Sequence, residues 1–356
     1  LAKQDFESMS LEGFFAVDQK LLTEFLEENN FPEEHTAKSI RTAVKNGKLK
    51  PSDLALYLGD ANSDLFDTPV VGAQVFRSDD AGRTWVKTHK SYLDDLYYSY
   101  GYYFGMIHVT PTDPNRIYIY GVPMLTSFDG GQAFESIDAP NAHVDHHALW
   151  INPDNPEHLI NGNDGGVNIS YDGGQNWIKN NQPAVGQFYT VYADQQTPYH
   201  VYGGLQDNGV WEAPHTSRES VAWHQYGHNN WTGIMGGDGM QIQVDQDNAD
   251  IVYTGYQFGN YFRINRETNK RTNIQPKHKL GEAPLRFNWQ TPILLSPHNN
   301  DILYLGSNKL HRSLNRGDDY ITISKDLTSG GKKGNVPYGT LTALDESRFE
   351  FGTLVV

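Results

Sequence analysis

The spacing of apolar residues divides the chain into two parts with different periods. In residues 1–58, apolar side chains recur every three or four positions, which is the period of an amphipathic helix. Capping residues and helix breakers then place the helix ends. The pattern predicts a first helix between Ser10 and Asn29, a second over 37–45 and a short third helix that opens at Pro51.

From about residue 69 onward, short apolar runs alternate with turn residues. The runs are rich in Val, Ile, Tyr, Phe and Thr, and the residues between them are Gly, Asn, Asp and Pro, which is typical of strands joined by tight turns. No helical period is evident there. The sequence therefore predicts an all-β domain over 69–356 and a helical insertion or appendage over 1–68.

One motif, Ser-x-Asp-x-Gly-x-x-Trp, recurs along the β region. Its copies lie at 78–85, 127–134, 170–177 and, in degenerate form, 313–320. In a hairpin turn, the Asp side chain accepts backbone N–H bonds, Gly supplies a positive φ, and the aromatic residue packs between sheets. The motif therefore predicts a repeated hairpin.

A second repeat, made of two apolar strands joined by an Asp or Pro turn, precedes most copies of the motif. Its period is roughly 40 to 50 residues, the size of a four-stranded propeller blade. Complete blades are predicted at about 104–138, 145–182, 186–227, 238–276 and 289–326. The remaining segments, 71–87 and 339–356, would pair to close a ring of about six blades. An open segment of a larger propeller is the alternative.

The motif is identified as the Asp-box, or BNR, repeat of sialidases, sortilin and xyloglucanase-type hydrolases. Residues 70–356 resemble the sortilin-like, "glycosyl hydrolase-like" propeller proteins of bacteria. The resemblance lies in the stretches 100–105, 143–150, 163–167, 204–209 and 236–240. It implies a β-propeller in a long exported protein, placed outside the cell, in the periplasm or at the cell surface. Because this fold hosts many activities, the resemblance implies no single function.

The two ends of the chain suggest a piece of a longer protein. The chain begins with Leu1 rather than Met and closes on the strand-like run 352–356. A domain rarely ends in an apolar strand unless that strand pairs with another. We expect other domains of a parent protein to be partners.

Composition narrows the classes of ligand. The net charge is -15, which disfavours nucleic acid and anionic membrane surfaces because phosphates are bound by clustered cations. There is no Cys, which excludes thiolate metal sites and cysteine catalysis. No apolar run is long enough for a membrane helix. A sialidase needs three clustered arginines, and the central loops contain almost none. A protein or a carbohydrate remains as the ligand.

Propeller loops that lead into the inner strands converge on one axial face, and polar residues of several blades occupy them here. The carboxylates that could serve as a catalytic pair are Asp145, Asp164, Asp207 and Asp238. The residues predicted to bind a ligand are His143, His146, Gln206, Asn208, His228 and Trp231. The alternative interpretation is turn chemistry, since Asn-Asp-Gly-Gly and Asp-Asn-Gly are good turn formers. The Tyr-rich segment 92–104 is either a stacking platform or packing between blades.

Two segments invite a metal interpretation. His143 and Asp145 combine imidazole with carboxylate, although neighbouring residues on a strand point to opposite faces. Asp60, Asn62 and Asp64 resemble the start of a calcium loop that lacks the turn glycine and the final glutamate. We expect no cofactor, with structural calcium as the weaker alternative.

Three functions remain open from the sequence. The first is a module that binds a protein or glycan ligand on its axial face. The second is a xyloglucanase-like glycoside hydrolase, which would need two carboxyl groups about 5–10 Å apart. The third is an architectural part of a cell-surface assembly.

Overall fold

The computed structural model describes residues 1–59, 71–98, 100–180, 186–218, 220–222, 230–330 and 339–356. Within these residues the chain is mostly β, with seven small antiparallel sheets and five short helices. It divides into two compact units, one of Leu1–Leu65 with Gln241–Val356 and the other of Phe66–Met240. We call them unit 1 and unit 2. The mostly-β class predicted from the sequence is confirmed.

The helices of unit 1 are α1 (Lys3–Glu7), α2 (Leu11–Ala16), α3 (Gln19–Glu28), α4 (Ala37–Lys45) and α5 (Ser52–Tyr57). The second and third predicted helices are confirmed, whereas the predicted first helix is two helices. Asp18 caps α3, because its carboxylate accepts a hydrogen bond from the backbone N–H of Lys20 at 2.7 Å. A strong N-cap at this position starts a new helix instead of continuing the old one.

The helices surround an apolar core of their own. Its fully buried members include Phe6, Phe14, Leu22, Phe25, Ile40 and Leu54. Leu280, from the loop 274–292 of unit 1, packs against this core. His278 of the same loop places its Nε2 3.2 Å from the carbonyl oxygen of Leu56 and its ring 5.5 Å from that of Tyr57. The helical segment therefore packs against the loop 274–292 of unit 1.

In its described residues, unit 2 has one two-stranded and three four-stranded sheets. The first is β1 (Phe76–Arg77) with β2 (Val86–Lys87). The second is β3 (Met106–Thr110), β4 (Asp113–Tyr120), β5 (Met124–Ser127) and β6 (Glu135–Ser136). The third is β7 (His146–Ile151), β8 (Leu159–Asn163), β9 (Gly166–Ser170) and β10 (Ile178–Asn180). The fourth is β11 (Phe188–Ala193), β12 (His200–Leu205), β13 (Gly209–Pro214) and β14 (Thr232–Met235).

The described part of unit 1 repeats this arrangement. One four-stranded sheet is β15 (Gln243–Val244), β16 (Ile251–Tyr256), β17 (Asn260–Asn265) and β18 (Lys270–Asn273). The next is β19 (Ile293–Leu295), β20 (Leu303–Gly306), β21 (Leu310–Ser313) and β22 (Ile321–Thr322). The last pair is β23 (Asp345–Glu346) with β24 (Leu354–Val355). In every four-stranded sheet the strands pair in chain order, as in a propeller blade.

The recurring Ser-x-Asp-x-Gly motif closes a hairpin in each copy. In the copy at 170–177, the Ser170 hydroxyl accepts a hydrogen bond from the N–H of Gly174, and the Asp172 carboxylate accepts one from Asn176, both at 2.9 Å. The copies at 78–85 and 127–134 form the same two bonds. In the copy at 313–320 the side-chain amide oxygen of Asn315 replaces the Asp carboxylate as acceptor. The predicted turn chemistry is confirmed, so the carboxylates of the motif are scaffold.

Two features of the predicted blades differ in the structure. The segments at the two ends form separate two-stranded sheets, β1–β2 and β23–β24, so the closed ring of about six blades stays a prediction. The third blade extends beyond its predicted limit of 227, because its fourth strand is β14, at Thr232–Met235. Within the described parts of the chain, no helix combines the length and apolarity that crossing a bilayer would require.

Candidate functional site

Loops at one end of the unit 2 sheets bring the four predicted carboxylates together. Asp145 immediately precedes β7, and Asp164 lies in the turn between β8 and β9. Asp207 lies in the turn between β12 and β13, and Asp238 follows β14. Electrostatic coupling links Asp145 to Asp164, and Asp207 to both Asp164 and Asp238. We call these four residues the carboxylate face.

Asp207 lies at the centre of the carboxylate face. Its backbone N–H donates to Oδ1 of Asp238 at 3.0 Å, and its carboxyl group shares hydrogen bonds with those of Asp164 and Asp238. Partial burial, and then the negative charges of these two neighbours, raise the pKa of Asp207 to about 7. Because adjacent carboxylates repel when both are ionised, one proton is held among them near neutral pH.

Asp145 and Tyr100 complete the polar part of the site. Partial burial and then the charge of Asp164 raise the pKa of Asp145, while nearby histidines oppose that rise. Burial also raises the pKa of Tyr100, and the charges of Tyr102, Asp145 and Asp238 add to this effect. The Tyr100 hydroxyl therefore keeps its proton close to two carboxyl groups.

His147 joins the carboxylate face to a row of aromatic side chains. Its Nε2 lies 2.7 Å from Oδ1 of Asp164. Its ring also contacts Tyr103 and Phe104, with centroids 5.5 and 5.6 Å away. Tyr102, next along the same loop, is 85% exposed. The site thus combines carboxylates, an imidazole and accessible tyrosine rings.

The turns that carry the carboxylates have specific local causes. The Asn163 side chain accepts a hydrogen bond from the N–H of Gly165 at 3.0 Å, which closes the turn. The Asp164 carboxyl group takes no part in closing the turn through this bond and contacts His147. Asp145 and Asp207 have φ angles of 61° and 60°, in the left-handed region that most residues avoid. Asp tolerates this conformation better than most side chains do. The predicted turn chemistry and the convergence of carboxyl groups therefore coexist.

Glycines let the Asp207 and Asp238 loops approach each other. The N–H of Gly239 donates to the carbonyl of Leu205 at 2.9 Å, and that of Gly209 donates to Gly237 at 2.8 Å. A Cβ atom on Gly239 would clash with the backbone of Gly209, and one on Gly204 would clash with that of Gly239. Only glycine permits this contact between backbones.

The structure places the other predicted residues in different surroundings. Three of them adjoin the carboxylate face: His143 Nε2 lies 3.1 Å from the Asp207 carbonyl oxygen, and the Asn208 amide donates to the carbonyls of Asp164 and Gln206 at 3.0 Å. His146 does not face this cluster.

His146 is buried on the alternate face of β7. Its ring nitrogens lie 2.9 Å from Oδ1 of Asn161 and 3.3 Å from Oδ1 of Asp138. Trp231 lies near Phe188, with ring centroids 5.9 Å apart. His228 falls outside the described residues.

The metal interpretation gains no support from the described residues. Within them, no group of three or more His, Cys, Asp or Glu side chains has an arrangement that could hold a metal ion. His143 and Asp145 therefore belong to no such group. The proposed calcium loop, with Asp60, Asn62 and Asp64, lies outside the described residues, so calcium there stays a prediction.

Sequence reasoning identified the four carboxylates but not two of their neighbours. Tyr100 lies in the Tyr-rich segment 92–104, and His147 was not predicted as a site residue. Strict alternation does not mark His147, because the register of β7 shifts between His146 and Ala148 and both His147 and Ala148 are exposed. Chemically, the assembled group can accept hydrogen bonds from hydroxyl or ammonium groups, and near neutral pH it can also donate one proton.

Comparisons with known proteins leave the chain without an assigned family. No protein-family model matches it, and no curated protein does. Solved structures with a similar arrangement are β-propeller proteins. A GH74 xyloglucanase from Xanthomonas campestris is 16% identical, with a TM-score of 0.29, over 72% of this chain and 43% of the enzyme. A GH74 enzyme from Niastella koreensis is 16% identical, with a TM-score of 0.28, over 74% of this chain and 44% of the enzyme.

A third structure, of YCF48 bound to D1 peptide, is 14% identical, with a TM-score of 0.27, over 72% of this chain and 77% of that one. The chain spans less than half the length of the two GH74 enzymes. At these sequence identities and TM-scores, the similarities assign neither a family nor an activity to the chain.

Proposed function

We propose that the chain is a β-propeller module that binds a protein or glycan ligand at the carboxylate face of unit 2. The observation that carries this proposal is the convergence of Asp164, Asp207 and Asp238 beside His147 and the exposed ring of Tyr102. Such a mixture of hydrogen-bonding groups and aromatic faces suits a ligand with hydroxyl or amine groups on an apolar frame.

We also propose a closed fold and an extracellular location for this module. We propose a six-bladed ring, in which the two-stranded sheets of 71–87 and 339–356 would belong to one blade. We further propose that it is part of a larger exported protein and works outside the cell, in the periplasm or at the cell surface. The repeated four-stranded sheets, whose strands pair in chain order, support the propeller part of this proposal.

A second candidate function is glycoside hydrolysis, and one observation favours it. Asp207 has a pKa of about 7 beside two further carboxyl groups. A glycosidase uses one protonated carboxyl as the acid and a second, ionised carboxyl as the nucleophile or base. In this scheme Asp207 donates the proton to the leaving oxygen. Asp164 and Asp238 hydrogen-bond to Asp207 in the structure, so one of them would have to move to about 5–10 Å away to act as the second carboxylate.

We expect Asp207→Asn and Tyr102→Ala each to weaken ligand binding by about tenfold or more, since each removes a central contact. The probes are a panel of polysaccharides and a panel of synthetic peptides, and the measurement is isothermal titration calorimetry with the full chain. Asp250→Asn, an exposed carboxylate of unit 1, is the charge-matched control and should bind like the unchanged chain.

The same polysaccharides, assayed for released reducing ends, separate binding from hydrolysis. Turnover that disappears in Asp207→Asn would support the hydrolase. Binding without turnover, reduced in Asp145→Ala and Asp238→Ala, would support the binding module. If no probe binds, or if the variants bind as tightly as the unchanged chain, the proposed function is wrong.

A further inference from the structure

An exposed row of three aromatic rings lies at the opposite end of the third sheet from Asp145 and Asp164. Trp150, near the end of β7, is 47% exposed, and Tyr171, directly after β9, is 61% exposed. His158, in the turn between β7 and β8, lies between them. Its ring is stacked on that of Tyr171, with centroids 4.6 Å apart and planes at 22°, and meets that of Trp150 edge-on at 5.5 Å. We call these three residues the aromatic row.

Hydrogen bonds around His158 hold the row in place before any ligand arrives. The His158 N–H donates to the carbonyl of Asn155 at 2.9 Å, and its own carbonyl accepts from the N–H of Asn152 at 3.0 Å. Its Nδ1 lies 3.2 Å from the Asn152 amide nitrogen. Tyr171 belongs to the hairpin motif, whose Ser170 hydroxyl donates to Asp172 at 2.8 Å. Rings that are already ordered lose little conformational freedom when a ligand binds.

The position occupied by Tyr171 differs among the four copies of the motif. It holds Asp79, Phe128 and Leu314 in the other copies. The Arg116 guanidinium lies over the Phe128 ring, 5.2 Å from the ring centroid. In the copy at 170–177 a histidine supports the ring from one side, and most of the Tyr171 surface stays open to solvent. Among the four copies of the motif, the one at 170–177 alone has a tyrosine at this position.

The surroundings of the row indicate the chemistry of its ligand. The adjoining turn, 152–157, presents amide and carboxylate side chains, which pair with hydroxyl groups. The Glu157 carboxylate is bound to Arg116, so its charge is already matched. The net charge of -15 disfavours an anionic polymer. A neutral sugar suits both the aromatic rings and the polar turn. Its C–H face covers an aromatic ring, while its hydroxyl groups reach the side chains of the turn 152–157.

We propose that Trp150, His158 and Tyr171 form a binding site for a neutral oligosaccharide. This site uses different residues from the carboxylate face and does not depend on the function proposed there. The short row limits the direct contact to one or two sugar rings. It is a place where a glycan chain is held, and no bond is made or broken.

The test is affinity electrophoresis of the full chain through gels that contain hydroxyethyl cellulose, galactomannan, arabinoxylan or soluble starch. We expect at least one polymer to retard the chain. Trp150→Ala and Tyr171→Ala should each weaken that binding by about tenfold, the usual effect of removing a central aromatic contact. Tyr171→Phe keeps the ring and should bind within about twofold of the unchanged chain.

Two control variants locate the effect. Trp85→Ala removes another exposed tryptophan of unit 2, 63% exposed and outside the row, and should leave retardation unchanged. Asp250→Asn removes an exposed carboxylate of unit 1, outside the row and the carboxylate face, and should also leave retardation unchanged. Circular dichroism establishes whether each variant is folded. If Trp150→Ala is not folded, the comparison of Tyr171→Ala with Tyr171→Phe tests the proposal.

Three results would overturn this proposal. The first is the absence of retardation by any of the four polymers. The second is unchanged retardation of folded Trp150→Ala and Tyr171→Ala. The third is retardation that is lost in Asp207→Asn and kept in Trp150→Ala, which would place the glycan on the carboxylate face and support the function proposed for it.

Discussion

Gly239→Ala is expected to abolish ligand binding at the carboxylate face and to lower the free energy of unfolding by about 1–3 kcal/mol. The added Cβ would clash with the carbonyl group of Gly209, which is backbone and cannot rotate away. Relief of the clash must move the loop that carries Asp238. That movement separates Asp238 from the N–H of Asp207, to which it is bound at 3.0 Å.

The matched control for this variant lies in the same loop. A Cβ on Gly236 would meet no atom within 4 Å, so Gly236→Ala should change neither stability nor binding appreciably. Urea unfolding measures the stability of both variants, and calorimetry with any ligand found for the face measures binding. Equal stability and equal binding of Gly239→Ala and Gly236→Ala would contradict the described approach of the two loops.

Leu22→Ala is expected to lower the free energy of unfolding of unit 1 by about 2–5 kcal/mol, the usual cost of a cavity in a packed core. Leu22 on α3 is fully buried in the helical core. Its neighbour Leu21 is 47% exposed, so Leu21→Ala removes the same atoms from a site that solvent already reaches. That variant should cost less than about 1 kcal/mol.

Thermal and urea unfolding of the two leucine variants check this expectation. A large difference between them indicates that the helices are folded around their own core within unit 1. Similar unfolding curves for Leu21→Ala and Leu22→Ala would show that the helical core contributes little to stability. In that case the helical segment would not be packed as described.

The four-stranded sheets could be predicted from the sequence because their signals are local and repeated. Four of the five predicted complete blades contain a whole sheet whose strands pair in chain order, and the third contains three of its four strands. Short apolar runs and tight turns leave little choice of partner. The break between α2 and α3 was missed because the apolar spacing continues across Asp18. The break depends on one capping side chain, that of Asp18. An aspartate is also compatible with an exposed position inside a helix.

The candidate site was predictable only in part. Asp164 and Asp207 stand in recognisable turns, so their place at one end of the sheets follows from the order of the strands. The shared hydrogen bonds of Asp207 depend on distances between separate loops, which spacing along the chain does not determine. The aromatic row was missed for a similar reason, because Trp150 and Tyr171 meet His158 only after the strands pair.

The raised pKa of Asp207 also determines how stability depends on pH. A free Asp carboxyl has a pKa of about 3.9, whereas that of Asp207 in the folded chain is about 7. The folded state therefore binds the proton more tightly than the unfolded state does. The stability contributed by this group is fully present below about pH 4 and is lost as the pH rises through about 7.

The most direct test of the carboxylate face is the titration of the Asp207 carboxyl carbon by nuclear magnetic resonance. The signal is assigned by its absence in Asp207→Asn. We predict a midpoint near pH 7, set by partial burial and by the carboxyl groups of Asp164 and Asp238. A midpoint near 3.9, the ordinary value for Asp, would show that Asp207 shares no proton with its neighbours and would contradict the account.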